Sequence, residues 1–301
     1  MIKNGSLNEV INGWYYNRED YRTTPNESLF REGDVLYSYG YHFPLAVHVG
    51  RYQLINADRY SNSTSKHQSY TIRACGNAVE IPFSALSAMI KSETYRYSSG
   101  YQFNAQYLHQ SMEILDHEDD KWLHTGVFSK VDGHEYMTHV LGATLFTYTG
   151  NDNHKRYIIS GIDDTGKGNS RYFMTELKGE PQTVAEALEC MKPEEVKQAE
   201  RDGRTVLRQG EWFFVHCPNI SESGAVVKNF YLHGNDGDTG HHYASEGFTG
   251  TDGCEYARGI VKHEEGDHKQ LKLYEDVKKK DWYVAYHNIQ IASFNAVGNV
   301  D

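Results

Sequence analysis

Apolar and polar residues alternate along most of this chain, in short runs cut by glycine-bearing turns. Period-two alternation bounded by such turns predicts half-buried strands. In the first third, Asp34–Tyr41 (DVLYSYGY), Leu45–Val49 and Tyr52–Ile55 read as strands, broken at Phe43-Pro44 and Gly50-Arg51. Tyr70–Ala74 and Ala78–Ile81 follow the same pattern around Gly76-Asn77. Val10-Ile11 and Trp14-Tyr15 flank Asn12-Gly13, the dipeptide that suits a type I′ hairpin turn. Further on, Lys121–Val131 and His134–Tyr148 meet at Asp132-Gly133, and Arg156–Asp163 and Arg171–Lys178 enclose the loop 164–170. Glu211–Cys217, Val226–Leu232, Glu255–His263, Gln270–Tyr274, Trp282–His287 and Ile289–Phe294 complete the series.

Helical spacing is rarer. Pro82–Ser92 carries proline in its first turn, where the missing N–H costs nothing. Asn104–Asp116 sets Tyr107, Leu108, Met112 and Leu115 on one face, with Asn104 as N-cap. Thr183 and Glu186 form a capping box for a helix to Met191, and a polar helix restarts at Pro193 and stops at Gly203. Strands with few helices, and no strict βαβ alternation, predict an α+β fold of mainly antiparallel β-sheet, sandwich or barrel-like, with about three short helices. A boundary near residue 118 divides the chain into an N-terminal β-rich domain, 1–117, and a C-terminal α+β domain, 118–301; one continuous domain is the alternative.

Composition sharpens this. The 23 Tyr, 12 Phe and 4 Trp favour pleated, half-buried surfaces. Residues 1–116 hold 10 basic and 11 acidic side chains, residues 117–301 hold 20 and 30, within a net charge of −11. The C-terminal part is therefore a poor partner for nucleic acid or an anionic membrane. Cys75, Cys190, Cys217 and Cys254 are too scattered for a CxxC pair, which predicts reduced thiols and a cytoplasmic setting. No apolar run approaches the roughly 18 residues of a membrane helix, and the N-terminus shows no signal-peptide core.

Histidine carries the chemistry. Of 16 in the chain, 7 follow residue 215. His241-His242 with Glu246, the run His263–His268, and His287 supply the imidazole and carboxylate set that binds Zn, Fe or Mn. The metal candidates are His242, His263 and His268, with His263 also a catalytic candidate. Adjacent strand residues face opposite ways, so His241 and His242 cannot both ligate from a regular strand. Solvated loop histidines would give the same sequence. The loop Tyr60–Gln68 offers hydroxyls with Lys66, His67 and Gln68, suited to cradling an anion. Arg208 and Glu211, just before an apolar strand, add an anion-binding guanidinium and a carboxylate. His67 and Glu211 are the other catalytic candidates; Lys66, Gln68, Arg208 and Arg258 are the ligand-binding ones. No Walker A, dinucleotide, HExxH or EF-hand pattern occurs.

Gly234–Gly253 resembles the first metal motif of cupins, but departs from it because its two histidines are adjacent. Leu36–Ala46 (LYSYGYHFPLA), Tyr60–Gln68, Arg208–Val215 (RQGEWFFV) and Ala257–His268 (ARGIVKHEEGDH) resemble an uncharacterised protein family of bacteriophages and mobile elements. That resemblance implies a conserved architecture and a host-cytoplasmic accessory protein, with no activity attached. Three functions stay open: a phage-type accessory protein binding a small polar or nucleotide-like anion, with or without catalysis; a non-catalytic protein-binding or virion module, possible as an oligomer and with a host protein as partner; and a metal-dependent hydrolase or nuclease.

Overall fold

The computed structural model describes residues 3–18, 20–58, 61–81, 83–90, 93–96, 102–105, 112–131, 134–149, 154–166, 172–233, 242–264, 266, 268–273, 281–289 and 292–293. The fold is α+β and mostly antiparallel sheet, as the alternation predicts. Among the described residues no helix is long and apolar enough to cross a membrane.

Seven strands form the first sheet in chain order: β1 (Lys3–Asn4), β2 (Tyr21–Thr23), β3 (Leu29–Glu32), β4 (Val35–Ser38), β5 (Pro44–Val49), β6 (Tyr52–Asn56) and β7 (Ala78–Ile81). Between β1 and β2 the chain makes α1 (Leu7–Tyr15), where the Asn12-Gly13 pair predicts a hairpin. Two features override that turn signal. Ser6 accepts from the Glu9 N–H while the Glu9 carboxylate accepts from the Ser6 N–H at 2.8 Å, a closed capping box. Val10, Ile11 and Trp14 then share one helical face, buried against Leu29, Leu36, Leu45 and Ile55. Gly13 is needed for packing, since a Cβ there would lie 3.2 Å from the Tyr21 carbonyl oxygen. Ser6→Ala should cost about 1 kcal/mol, read as a lowered urea midpoint with unchanged slope.

β6 and β7 run parallel, joined by α2 (Asn62–Ala74). Here the sequence predicts a loop over 60–68 and a strand over 70–74, and the structure corrects both. The buried face of α2 is polar: Thr64, His67, Gln68 and Thr71. An i, i+3, i+4, i+7 stripe without apolar residues leaves no hydrophobic period to read. Ser61 caps the helix by accepting the Thr64 N–H at 3.2 Å.

Helix α3 (Phe83–Ile90) forms as expected, although Pro82 lies outside the described residues. β8 (Glu93–Arg96) and β9 (Gln102–Ala105) pair with each other. The helix expected over 104–116 does not form at its ends: Asn104 belongs to β9, and Glu113–Asp116 opens β10 (Glu113–Val131). Met112 and Ile114 pack to one side and Leu115 to the other, which is strand alternation. Positions 106–111 lie outside the described residues.

The second sheet adds β11 (His134–Thr149), β12 (Lys155–Asp163), β13 (Tyr172–Leu177), β14 (Val206–Gln209), β15 (Trp212–Cys217), β16 (Val227–Tyr231), β17 (His242–Thr249), β18 (Glu255–His263), β19 (Leu271–Lys272), β20 (Trp282–His287) and β21 (Ala292–Ser293). Its order is β16-β17-β18-β20-β15-β14-β10-β11-β12-β13-β21, with β19 beside β18. The Asp132-Gly133 turn lies outside the described residues. α4 (Val184–Cys190) starts at Thr183, as the capping signal predicts, though Glu186 reaches back to the Gln182 N–H at 2.7 Å, one residue earlier than a standard box. α5 (Glu194–Arg201) ends before Gly203, whose φ is +70°.

β10 runs through position 118, and one core joins the two sheets. Val47, Leu54 and Ile81 of the first sheet pack there with Phe146, Ile158 and Met174 of the second. The first sheet's other face is covered by α1 and α2, and the β11–β13 part of the second by α4. The remaining strands, β14 to β18 and β20, carry their own apolar clusters, and the polar site lies at their ends.

Candidate metal centre

His242 opens β17 and His263 closes β18, and the two are direct cross-strand partners. Residues opposite one another in an antiparallel pair project from the same face. Their ring centroids are 4.7 Å apart. After β18 the chain turns at Gly266, whose φ is +75°, and brings back His268, which bridges Gly166. The His268 ring lies 5.2 Å from both His242 and His263. One nitrogen of each imidazole falls within 4.8 Å of the others. Around a tetrahedral ion with metal–nitrogen bonds of about 2.0–2.1 Å, such atoms sit about 3.4 Å apart, so ring rotation of modest size closes the set.

A polar scaffold fixes His268. The Lys269 N–H donates to the Thr165 carbonyl at 2.8 Å, and Lys269 Nζ to the Asp164 carbonyl at 2.6 Å. Gln209, 1% exposed, donates its amide to the Lys269 carbonyl. Thr165 Oγ1 donates to Asp163 at 2.7 Å and accepts the Gly210 N–H at 2.9 Å. Asp163 in turn pairs with Arg208. Gly210 and Glu211 form the two-residue turn between Gln209 and Trp212, which pair in register. Gly210 takes a φ of +56°, as the first central residue of such turns requires, and a Cβ there would meet the His268 ring at 2.9 Å.

The same turn delivers Glu211 to His242, with Oε1 at 3.2 Å from Nδ1. Burial alone would raise the Glu211 carboxyl. The charge and hydrogen bond of His242, followed by the charges of His268 and His287, outweigh it and hold Glu211 well below the usual carboxylate range. His268 is lowered, first by burial, against an opposing pull from Glu211. The lowering favours neutral imidazole, the ligating form. His242 Nε2 and His268 Nδ1 are both buried and make no hydrogen bond. Buried polar atoms left so are costly, and a cation accepting their lone pairs would satisfy them. The donor set therefore fits a divalent transition metal.

His287 flanks the cluster. It faces Trp212 across β15 and β20, with the rings 5.1 Å apart in a T, and the Trp212 ring is 6.4 Å from His242. His241, Glu265 and Asp267 lie outside the described residues. Glu246 is engaged elsewhere, accepting from Arg258 Nε at 2.7 Å.

The candidate residues of α2 and those around the β14–β15 turn have different partners. His67 Nδ1 meets Ser38 Oγ at 2.8 Å beneath a stacked Tyr39 ring, and Lys66 lies over Tyr70. Gln68 donates to the Asn56 and Asp58 carbonyls. All of these partners belong to the first sheet, the residues just after β4 and β6, and α2. Arg208, expected to hold an anionic ligand, is buried against Asp163, and Arg258 is held by Glu246 and Glu222 over the Trp282 ring. Sequence reasoning missed Asp163, Thr165 and Gly210. A glycine in a two-residue hairpin was the one readable signal among them.

No family model, curated protein or solved structure matches this chain.

Proposed function

We propose that the protein is a metal-dependent enzyme of the hydrolytic class, with His242, His263 and His268 holding one divalent ion, Zn²⁺ first among Zn²⁺, Fe²⁺ and Mn²⁺. The observation that carries this reading is the convergence of three imidazoles from β17, β18 and the loop after β18, two of them presenting buried nitrogens with no hydrogen bond. Three nitrogen ligands are the count of catalytic zinc sites; structural sites use four. Bound there, the ion would supply an activated water and polarise a carbonyl or phosphoryl oxygen. The chain's own part is to hold the imidazoles in place, through the Thr165–Gly210–Lys269 scaffold, and to set the Glu211 carboxylate against His242.

Protein stripped by chelator should take up about one equivalent of Zn²⁺ or Co²⁺, and His263→Ala should lose that uptake while keeping its far-ultraviolet circular dichroism. Hydrolysis of chromogenic esters or phosphodiesters should vanish on stripping and return with the ion. Failure of the stripped wild-type protein to bind any of the three metals at micromolar concentration would refute the proposal.

A further inference from the structure

Resting on the metal reading, we infer that Glu211 is the positioning residue of this centre, fixing His242 as the Nδ1–H tautomer so that Nε2 carries the lone pair for the ion. The 3.2 Å contact joins Glu211 Oε1 to His242 Nδ1. An ionised carboxylate only accepts, so Nδ1 must donate. The other ring nitrogen, Nε2, is the buried one without a partner. The two ends of the imidazole thus have different tasks: one is tied to a carboxylate, the other is left for a Lewis acid. A carboxylate behind a ligating histidine sets ring orientation and raises its basicity, and losing one typically costs about 10–100-fold in metal affinity.

The fold builds this contact on rigid parts. Glu211 sits in a two-residue turn whose first residue is glycine, between strands that pair through Gln209 and Trp212. The Asn288 N–H donates to the Glu211 carbonyl at 2.8 Å, tying the turn to the end of β20. Asp163 and Glu246 do not compete for His242, since Asp163 is paired with Arg208 and Glu246 with Arg258. About a third of the Glu211 side chain is exposed, at 32%, so replacing it does not open a core. The rival role for Glu211 is direct ligation, and the two roles differ in what a neutral isostere does. Glutamine keeps an oxygen that accepts from Nδ1–H but is a poor anionic ligand.

The experiment compares wild type, Glu211→Gln and Glu211→Leu by two readouts. In stripped, ¹⁵N-histidine-labelled protein, long-range ¹H–¹⁵N spectra should report the Nδ1–H form of His242 in wild type and E211Q, and its loss in E211L. In Zn²⁺ titrations against a competing chelator, E211L should bind about 10–100-fold more weakly than wild type, with E211Q within a few-fold of wild type. Equal weakening in E211Q and E211L would mean direct ligation and overturn the inference. Unchanged affinity in E211L, with wild type binding its ion, would overturn it while leaving the metal reading intact. Absence of binding in wild type would remove both, whatever the tautomer.

Discussion

Arg208→Leu should destabilise the protein by about 3–5 kcal/mol, the usual effect of leaving one partner of a buried ion pair alone. Arg208 and Asp163 have side chains only 10% and 7% exposed, and the guanidinium meets the carboxylate directly. Asp163 keeps two donors after the change, the Thr165 N–H at 2.8 Å and its hydroxyl at 2.7 Å, but both reach Oδ1. Oδ2, which faces Arg208, loses its partner in a place where water replaces it poorly. Urea unfolding measures the loss. Removing both charges, as Asp163→Leu with Arg208→Leu, should cost much less than the two single changes added together, because no charge is then left unpaired. A small, additive effect would show that the pair is solvated and the scaffold loose. The consequence extends to the histidines: Asp163 orients Thr165, which holds Gly210 and Lys269 on either side of His268. Zn²⁺ affinity should therefore fall in Arg208→Leu although that residue is not a proposed ligand. Such an outcome would separate a supporting role from the anion-binding role that Arg208 suggests in the sequence.

How far this could be read from the sequence depended on what each signal competes with. β18 and β20 have the bounds that the sequence predicts, since their successive residues alternate between two apolar clusters, Tyr256, Trp282 and Val284 facing one and Ala257, Val261, Tyr283 and Ala285 the other. At α1 two local signals conflict, the Asn12-Gly13 turn and the Ser6–Glu9 box, and the buried face of Val10, Ile11 and Trp14 decides for helix. At α2 the decisive residues are buried but polar, so hydrophobic periodicity is silent. The site shows a similar division. Histidine and carboxylate as ligand types are visible in His242, His263, His268 and Glu211. Their meeting depends on the 242–263 register, the return at Gly266, and a strand end 45 residues upstream of Arg208 and Gly210. Those are long-range pairings, and no local pattern encodes them.

The largest core effect is expected at Phe146. It is fully buried on β11 and packs among Val47, Leu54 and Ile81 of the first sheet as well as Ile158 and Met174 of its own. Phe146→Ala should cost about 3–5 kcal/mol, combining lost transfer energy with a cavity that two stacked sheets cannot easily collapse. Its distribution matters more than its size. If the shared core makes the sheets one cooperative unit, amide exchange should accelerate in β5 and β6 as well as in β11 and β12, and urea unfolding should remain a single transition by tryptophan fluorescence and circular dichroism. Trp14 reports on the first sheet and Trp212 and Trp282 on the second, so the fluorescence samples both. Acceleration confined to β11 and β12, or two separated transitions, would show that the sheets unfold independently despite their contact. Cooperative behaviour would mean that the histidine-bearing strands draw stability from residues before position 118, and that a fragment starting there would lack one wall of its own core.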